Sequence, residues 1–398
     1  MDHASTASRR GRGGDGPKTR QSLDPDWTVF QPIQGGPFRA YTGTASMSTY
    51  SDTFRELRSP HRVAHTPRSA LAPARGLVLA AGVMLPLALG VGLGYPHYGV
   101  YAALGALPAG FASMFGAGRK RAAAVALAAV GMAAGAFVGV LAAGDRLLLV
   151  LVAAVFAYAA GIVGAFSDRV AVAALQWPGA LLIATSTPDG ARQAAIRAGL
   201  VLAGGLTQAA FVAAAHISAL CPVETDKRRP PREFTRYLTG TIRMHLGLST
   251  EHGQHALRLA LTAATAQTAA LLLGLLHPYW ATLTAVLVLK TDHVLTVRRS
   301  LDRIGGTAFG VLLGLLLAAP ARLGTVPLLL GAAAAVALCY TVFAANYFLY
   351  SMFLTGFVVL LLDLLGFSAS QTVGPRLLAT LLGGVLALAA SHVRPASR

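Results

Sequence analysis

Residues 96–121, PHYGVYAALGALPAGFASMFGAGRKR, and residues 278–303, PYWATLTAVLVLKTDHVLTVRRSLDR, share one design. Each opens on proline and aromatic residues, runs through an apolar segment and closes on a basic cluster. The cluster is Arg119-Lys120-Arg121 in the first and Arg298-Arg299 with Arg303 in the second. Pro96/Pro278 and Arg121/Arg303 are both offset by 182 residues. Further on, Arg197 precedes Gly204-Gly205 by the spacing with which Arg376 precedes Gly383-Gly384, at an offset of 179. A hydrophobic unit that occurs twice in one chain is a common plan of transporters, because a substrate path can form between the halves.

Working outward, 55% of the residues are hydrophobic and 12% charged, where a soluble domain has about 25% charged. Apolar stretches long enough to cross a hydrocarbon core recur from Gly76 to Ala390. They lack the alternation of barrel strands, and lipid cannot satisfy an open backbone, so they must be helices. The predicted fold is an all-α polytopic membrane protein with about twelve transmembrane helices. The spans are 76–94, 98–116, 122–143, 147–166, 170–187, 196–219, 257–276, 279–292, 303–319, 325–345, 347–366 and 375–392, the eighth extending through Leu295.

Charge gives the orientation. With the amino terminus in the cytoplasm, Lys and Arg from residue 119 onward number 17 in loops predicted inside and 5 in loops predicted outside, which is the positive-inside pattern. The formal charge of +17 is thereby a topology signal, and nucleic acid is not the expected partner. Six spans per unit enter the membrane the same way round, so the two units form a parallel repeat. The chain divides into a basic, disordered cytoplasmic tail (1–74), a first six-helix repeat (75–219), a basic cytoplasmic linker (220–256) and a second repeat (257–398). Residues 1–46 look like leader sequence read through, with Met47 as the alternative start. The linker, with Lys227-Arg228-Arg229 at its centre, is expected to rest on lipid headgroups. Both termini are predicted cytoplasmic, in a cell (inner or plasma) membrane.

Cys221 and Cys339 form no disulfide framework or CxxC pattern, and His245, His252 and His255 lack ligand spacing, so no metal or cofactor is expected. Neither a nucleophile with a positioned base nor a GxxxxGK[ST] loop occurs in the spans, which argues against an enzyme and against direct ATP drive.

The candidate functional residues are the polar ones that the spans carry. Arg303 with Gly305 and Gly306 at a helix start reads either as an anion site near a positive helix end or as a topology anchor with glycines for close packing. Arg121 is its counterpart without the glycines. Tyr279 and Trp280 are interfacial anchors or a stacking surface for an aromatic substrate. Lys290 and Asp292 are intramembrane charges two residues apart, which a regular helix would not pair. Asp363, flanked by leucines, is the candidate for proton coupling. Gln176-Trp177-Pro178 marks a kink or break in the fifth span.

The second half also carries a family pattern: His255-Ala256-Leu257-Arg258, then Tyr279-Trp280, Lys290-Thr291-Asp292, and Arg303-x-x-Gly306-Thr307-x-x-Gly310. It resembles the fusaric acid resistance family, also called aromatic acid exporters. In the first half the Gly-Thr after the basic cluster is replaced by Ala122-Ala123-Ala124. The resemblance implies an inner-membrane protein exporting aromatic or other small organic acids, with proton coupling as one option. It implies membrane lipids and small organic anions as partners. The alternatives are a passive organic-anion channel and a non-transporting membrane scaffold.

Overall fold

The computed structural model describes residues 71–114, 119–186, 189–217, 250–319, 324–367 and 369–392. The basic tail, Met47, Cys221, Lys227 and His245 lie outside the described residues. Within them are twelve α-helices: α1 Pro73–Gly92, α2 Pro96–Phe111, α3 Arg119–Ala142, α4 Arg146–Gly164, α5 Asp168–Ala184, α6 Ala191–Ile217, α7 Glu251–Leu272, α8 Tyr279–Val288, α9 His293–Ala318, α10 Thr325–Val342, α11 Tyr347–Leu364 and α12 Ala369–His392. Eight of them (α1, α3, α4, α6 and α9 to α12) are long and apolar enough to cross a membrane, and α5 and α8 are shorter apolar helices. The chain is a multi-pass helical membrane protein.

Short polar residues set the helix starts. Asp145 accepts the backbone N–H groups of Leu147 and Leu148 at 2.8 and 3.1 Å, and Ser167, Thr250 and Asn346 cap α5, α7 and α11 in the same way. Proline, which has no N–H to lose there, opens α1 and α2. Gly94 after α1 and Gly274 after α7 take positive φ, 82° and 63°. At both, the next residue's N–H reaches back to the helix, Tyr95 to Gly90 O and Leu275 to Ala270 O, closing the last turn.

Helices in lipid associate through close backbone approach, and small residues permit it. Gly131, Gly135 and Gly139 of α3 lie against α5 at Trp177 and Leu181, leaving no room for a Cβ. Gly306, Gly310 and Gly314 of α9 lie likewise against α11 at Ser351, Met352 and Val359. Gly204 of α6 sits on the backbone of α2 at Ala102, and Gly383 of α12 on that of α8 at Ala281. The wider packing follows suit: α1 contacts α2 and α6, α2 contacts α6, and α3 contacts α5 and α6. Six helices on, α7 contacts α8 and α12, α8 contacts α12, and α9 contacts α11 and α12. Between the two sets, α1 packs on α10, α4 on α7 and α5 on α8. The hydrophobic core crosses the same boundary, where Phe111 stacks with Phe343 at 4.7 Å and the Tyr340 hydroxyl donates to Leu107 O at 2.7 Å.

Two boundaries differ from the sequence expectation. The eighth helix ends at Val288 and does not extend through Leu295, because Leu289 turns extended and Asp292 caps a new helix. The ninth helix accordingly begins at His293, ten residues before Arg303. The fifth helix, by contrast, continues through Pro178.

Candidate functional site

Along α9 the buried polar residues Thr296, Ser300, Arg303 and Thr307 fall at i, i+4, i+7 and i+11, one face of a helix over about 16 Å. Ser351 and Thr355 of α11 and Thr380 of α12 are buried as well. In this interior sit two arginines, Arg303 at 4% exposure and Arg376 at 7%. Each lies within electrostatic reach of the other. Arg303 donates through Nη1 to the Ser351 hydroxyl at 3.2 Å. Its Nε, together with the hydroxyls of Ser300 and Thr355, is sealed from solvent without a hydrogen-bond partner. Arg376 lies over the Trp280 ring, 4.8 Å from its centroid.

Among the described residues no carboxylate is ion-paired with either guanidinium. Asp302, next to Arg303 in sequence, interacts one turn back with Arg298 and Arg299. Arg197, at the matching place on α6, is different: its Nη2 pairs with Asp189 at 3.0 Å while it lies 5.4 Å from the Tyr101 ring. A buried polar group without a partner is rare in folded proteins, and an uncompensated buried charge rarer still. The face between α8, α9, α11 and α12 therefore offers two fixed cations, three unpartnered polar atoms and an aromatic floor.

The residues singled out in the sequence divide accordingly. Arg303 belongs to this face, but its anion-nest reading does not hold. Gly305 and Gly306 are mid-helix, their amides lie inside α9, and they serve the close approach to Phe348 and Ser351. Tyr279 and Trp280 are buried rather than exposed at a vestibule, packed with His277 and with Leu149, Ala153 and Leu181. His277 lies before α8, 4.5 Å from the Trp280 ring, and burial with Arg376 nearby holds its imidazole below the usual value. Arg121 is the third residue of α3, whereas Arg303 is the eleventh of α9, so the matching offset does not put them at one level. Asp292 is exposed and caps α9, accepting the Val294 N–H at 2.6 Å. Lys290 lies in the α8–α9 connection, where burial and then Arg299 push its ammonium down to about 7. Asp363 is half-buried in the last turn of α11.

Sequence reading did not assemble Arg376, Ser300, Ser351 and Thr355 into the site. The α9 stripe was available as a signal, since Thr, Ser, Arg and Thr share one helical face. A cavity of about 230 Å³ lies elsewhere, between α4 and α7, lined by Arg146, Leu147, Val150, Thr268, Leu271 and Leu272.

Residues 262–390 match the model of a family described as fusaric acid resistance protein-like. The resemblance read from residues 255–310 is thus shown for this stretch, which contains the whole arginine face. A relative described as an uncharacterized protein, from Haemophilus influenzae (strain ATCC 51907 / DSM 11121 / KW20 / Rd), is 36% identical over 119 residues. The match covers 29% of this chain and 16% of that protein. No solved structure matches the chain.

Proposed function

We propose that the protein exports small organic anions, aromatic carboxylates foremost, across the cell membrane, with both termini on the cytoplasmic side. The observation that carries this reading is the pair Arg303 and Arg376, nearly fully buried and, among the described residues, without a carboxylate partner. A guanidinium binds a carboxylate bidentately, and an anion held between the two would compensate charges that the fold leaves bare. The Trp280 and Tyr279 rings beside them suit an aromatic substrate. The family match, to a membrane transport and resistance family, supports the same direction.

The twelve helices are read as two parallel six-helix copies, 75–219 and 257–398, with the path near their boundary. The paired glycine contacts and helix pairings support this. They align Gly131, Gly135 and Gly139 with Gly306, Gly310 and Gly314, and Tyr101 with Trp280. In that alignment Arg303 faces Ala128, not Arg121. Asp363 is the proposed proton-coupling group.

Purified protein in liposomes loaded with labelled benzoate tests the reading. Movement against the benzoate gradient when a pH gradient is imposed, faster than the passive weak-acid flux of protein-free liposomes, is the expected result, with Arg376→Gln losing this excess and Asp363→Asn losing its pH drive. Strictly downhill flux would make the protein a channel. No flux over a broad carboxylate panel would leave a scaffold.

A further inference from the structure

A second cationic cluster lies where α7 begins and the α8–α9 connection turns. His255 and Arg258 are three residues apart on α7 and so share a face. Lys290 and Arg258 both act electrostatically on His255, so each has the imidazole as a neighbour. The connection that supplies Lys290 has a fixed shape: the Lys290 N–H donates to Thr296 Oγ1 at 3.0 Å, that hydroxyl donates to Asp292 O at 2.8 Å, and Asp292 caps α9. His255 Nδ1 and Arg258 Nε are both sealed from solvent and have no hydrogen-bond partner. The carboxylate that acts on Arg258 is that of Glu251, exposed in the first turn of α7. The fold thus gathers three donors, holds one of them on a rigid turn, and leaves two shielded atoms with nothing to bond.

We propose that His255, Arg258 and Lys290 form an oxyanion site at the predicted cytoplasmic edge of α7, taking a phosphate or carboxylate group. The two sources of that chemistry are an anionic lipid headgroup and a soluble anion. The site is separate from Arg303 and Arg376 and stands whether or not those residues carry a substrate.

Full-length protein in phosphatidylcholine nanodiscs is titrated with sodium phosphate against chloride at constant ionic strength, and thermal unfolding is followed. The wild type should show a saturable rise in Tm, with the apparent Kd weakened about tenfold in Arg258→Gln and in Lys290→Gln. A parallel arm uses nanodiscs containing phosphatidylglycerol. A Tm already raised there, to which phosphate adds nothing, assigns the site to a headgroup; an undiminished phosphate response assigns it to a soluble anion. Because Lys290→Gln removes a buried cation that Arg299 repels, its anion-free Tm should equal or exceed the wild-type value. The proposal is overturned by no anion response in either arm, by a response that survives both substitutions, or by a lower anion-free Tm in Lys290→Gln.

Discussion

Arg303→Met separates a functional arginine from a structural one. Arg303 lies about 15 Å along α9, at 4% exposure, with Ser351 as its hydrogen-bond partner. An uncompensated guanidinium at that depth costs on the order of 3 kcal/mol on insertion scales. Its bond to Ser351 offsets about 1.5–3 kcal/mol, and losing it would leave the hydroxyl unpaired at a cost of about 1 kcal/mol more. Methionine keeps most of the apolar stem and adapts to irregular space. The terms nearly cancel, so stability should stay within about 2 kcal/mol of wild type while carboxylate flux falls at least about tenfold. Unfolding in nanodiscs gives the first quantity and flux from liposomes the second. If Arg303 were an element of a satisfied internal ion pair, its removal would cost about 3–5 kcal/mol. A loss of that size, or a folded variant with wild-type flux, would refute the reasoning.

Three further outcomes are expected. Gly383→Val places a branched side chain on the backbone of α8 at Ala281 and should destabilise the protein by about 1–3 kcal/mol, read as a lower Tm, whereas Gly274→Ala meets no neighbour and acts only through its positive φ. Asp292→Ala removes the cap of α9 and should cost about 1 kcal/mol, most of which Asp292→Asn should restore in the same unfolding assay. Lys290, with His255 and Arg299 as its electrostatic neighbours, is pushed down to about 7 in the folded protein by burial and then by Arg299, so in the absence of anion the unfolded chain binds more protons from there up to the ordinary lysine range. Stability should therefore rise with pH across that window and phosphate binding should weaken; a flat profile that Lys290→Met leaves unchanged would contradict this.

The helices were legible because lipid removes alternatives: an apolar stretch that must satisfy its own backbone has one solution, and among the described residues a helix lies at each expected stretch, eight of them long and apolar enough to cross a membrane. Hydropathy does not distinguish a span from a span plus its approach, which is why the start of α9 was missed. His293 to Asp302 is polar enough to read as a loop, yet Asp292 caps it and Arg298, Arg299 and Asp302 stabilise it along one side. That single boundary changed the meaning of Arg303. At a helix start it would be one of many anchoring cations; ten residues in, it is a charge inside the bundle. Arg376 was legible as a recurring residue, but its position over Trp280 required the packing of α12 on α8, which Gly383 permits.

The uneven distribution of buried polarity bears on where the proposed path runs. In the first six helices and the turn after α2 the buried polar residues described are Ser113 and Gln208, and the interior of α3 is built from Ala124, Ala128, Ala129 and Ala136. In the second six, Thr262, Gln267, Thr282 and Thr284 are buried along with the α9, α11 and α12 residues that include Arg303 and Arg376. Burying such groups opposes folding unless they are bonded; Thr282, Thr296 and Thr380 are bonded, so the cost falls on Ser300, Thr355 and the Arg303 Nε, which have no partner. The contrast between Arg197 and Arg376 narrows it further. Both stand before a Gly-Gly pair and both lie over an aromatic ring, but Asp189 neutralises the first and no described carboxylate neutralises the second. A paired arginine gains little from an added anion, whereas an unpaired one gains the full compensation of its charge. If the helices are two copies of one bundle, anion binding falls to the second, with the first acting as the packed wall against which α8 and Trp280 rest.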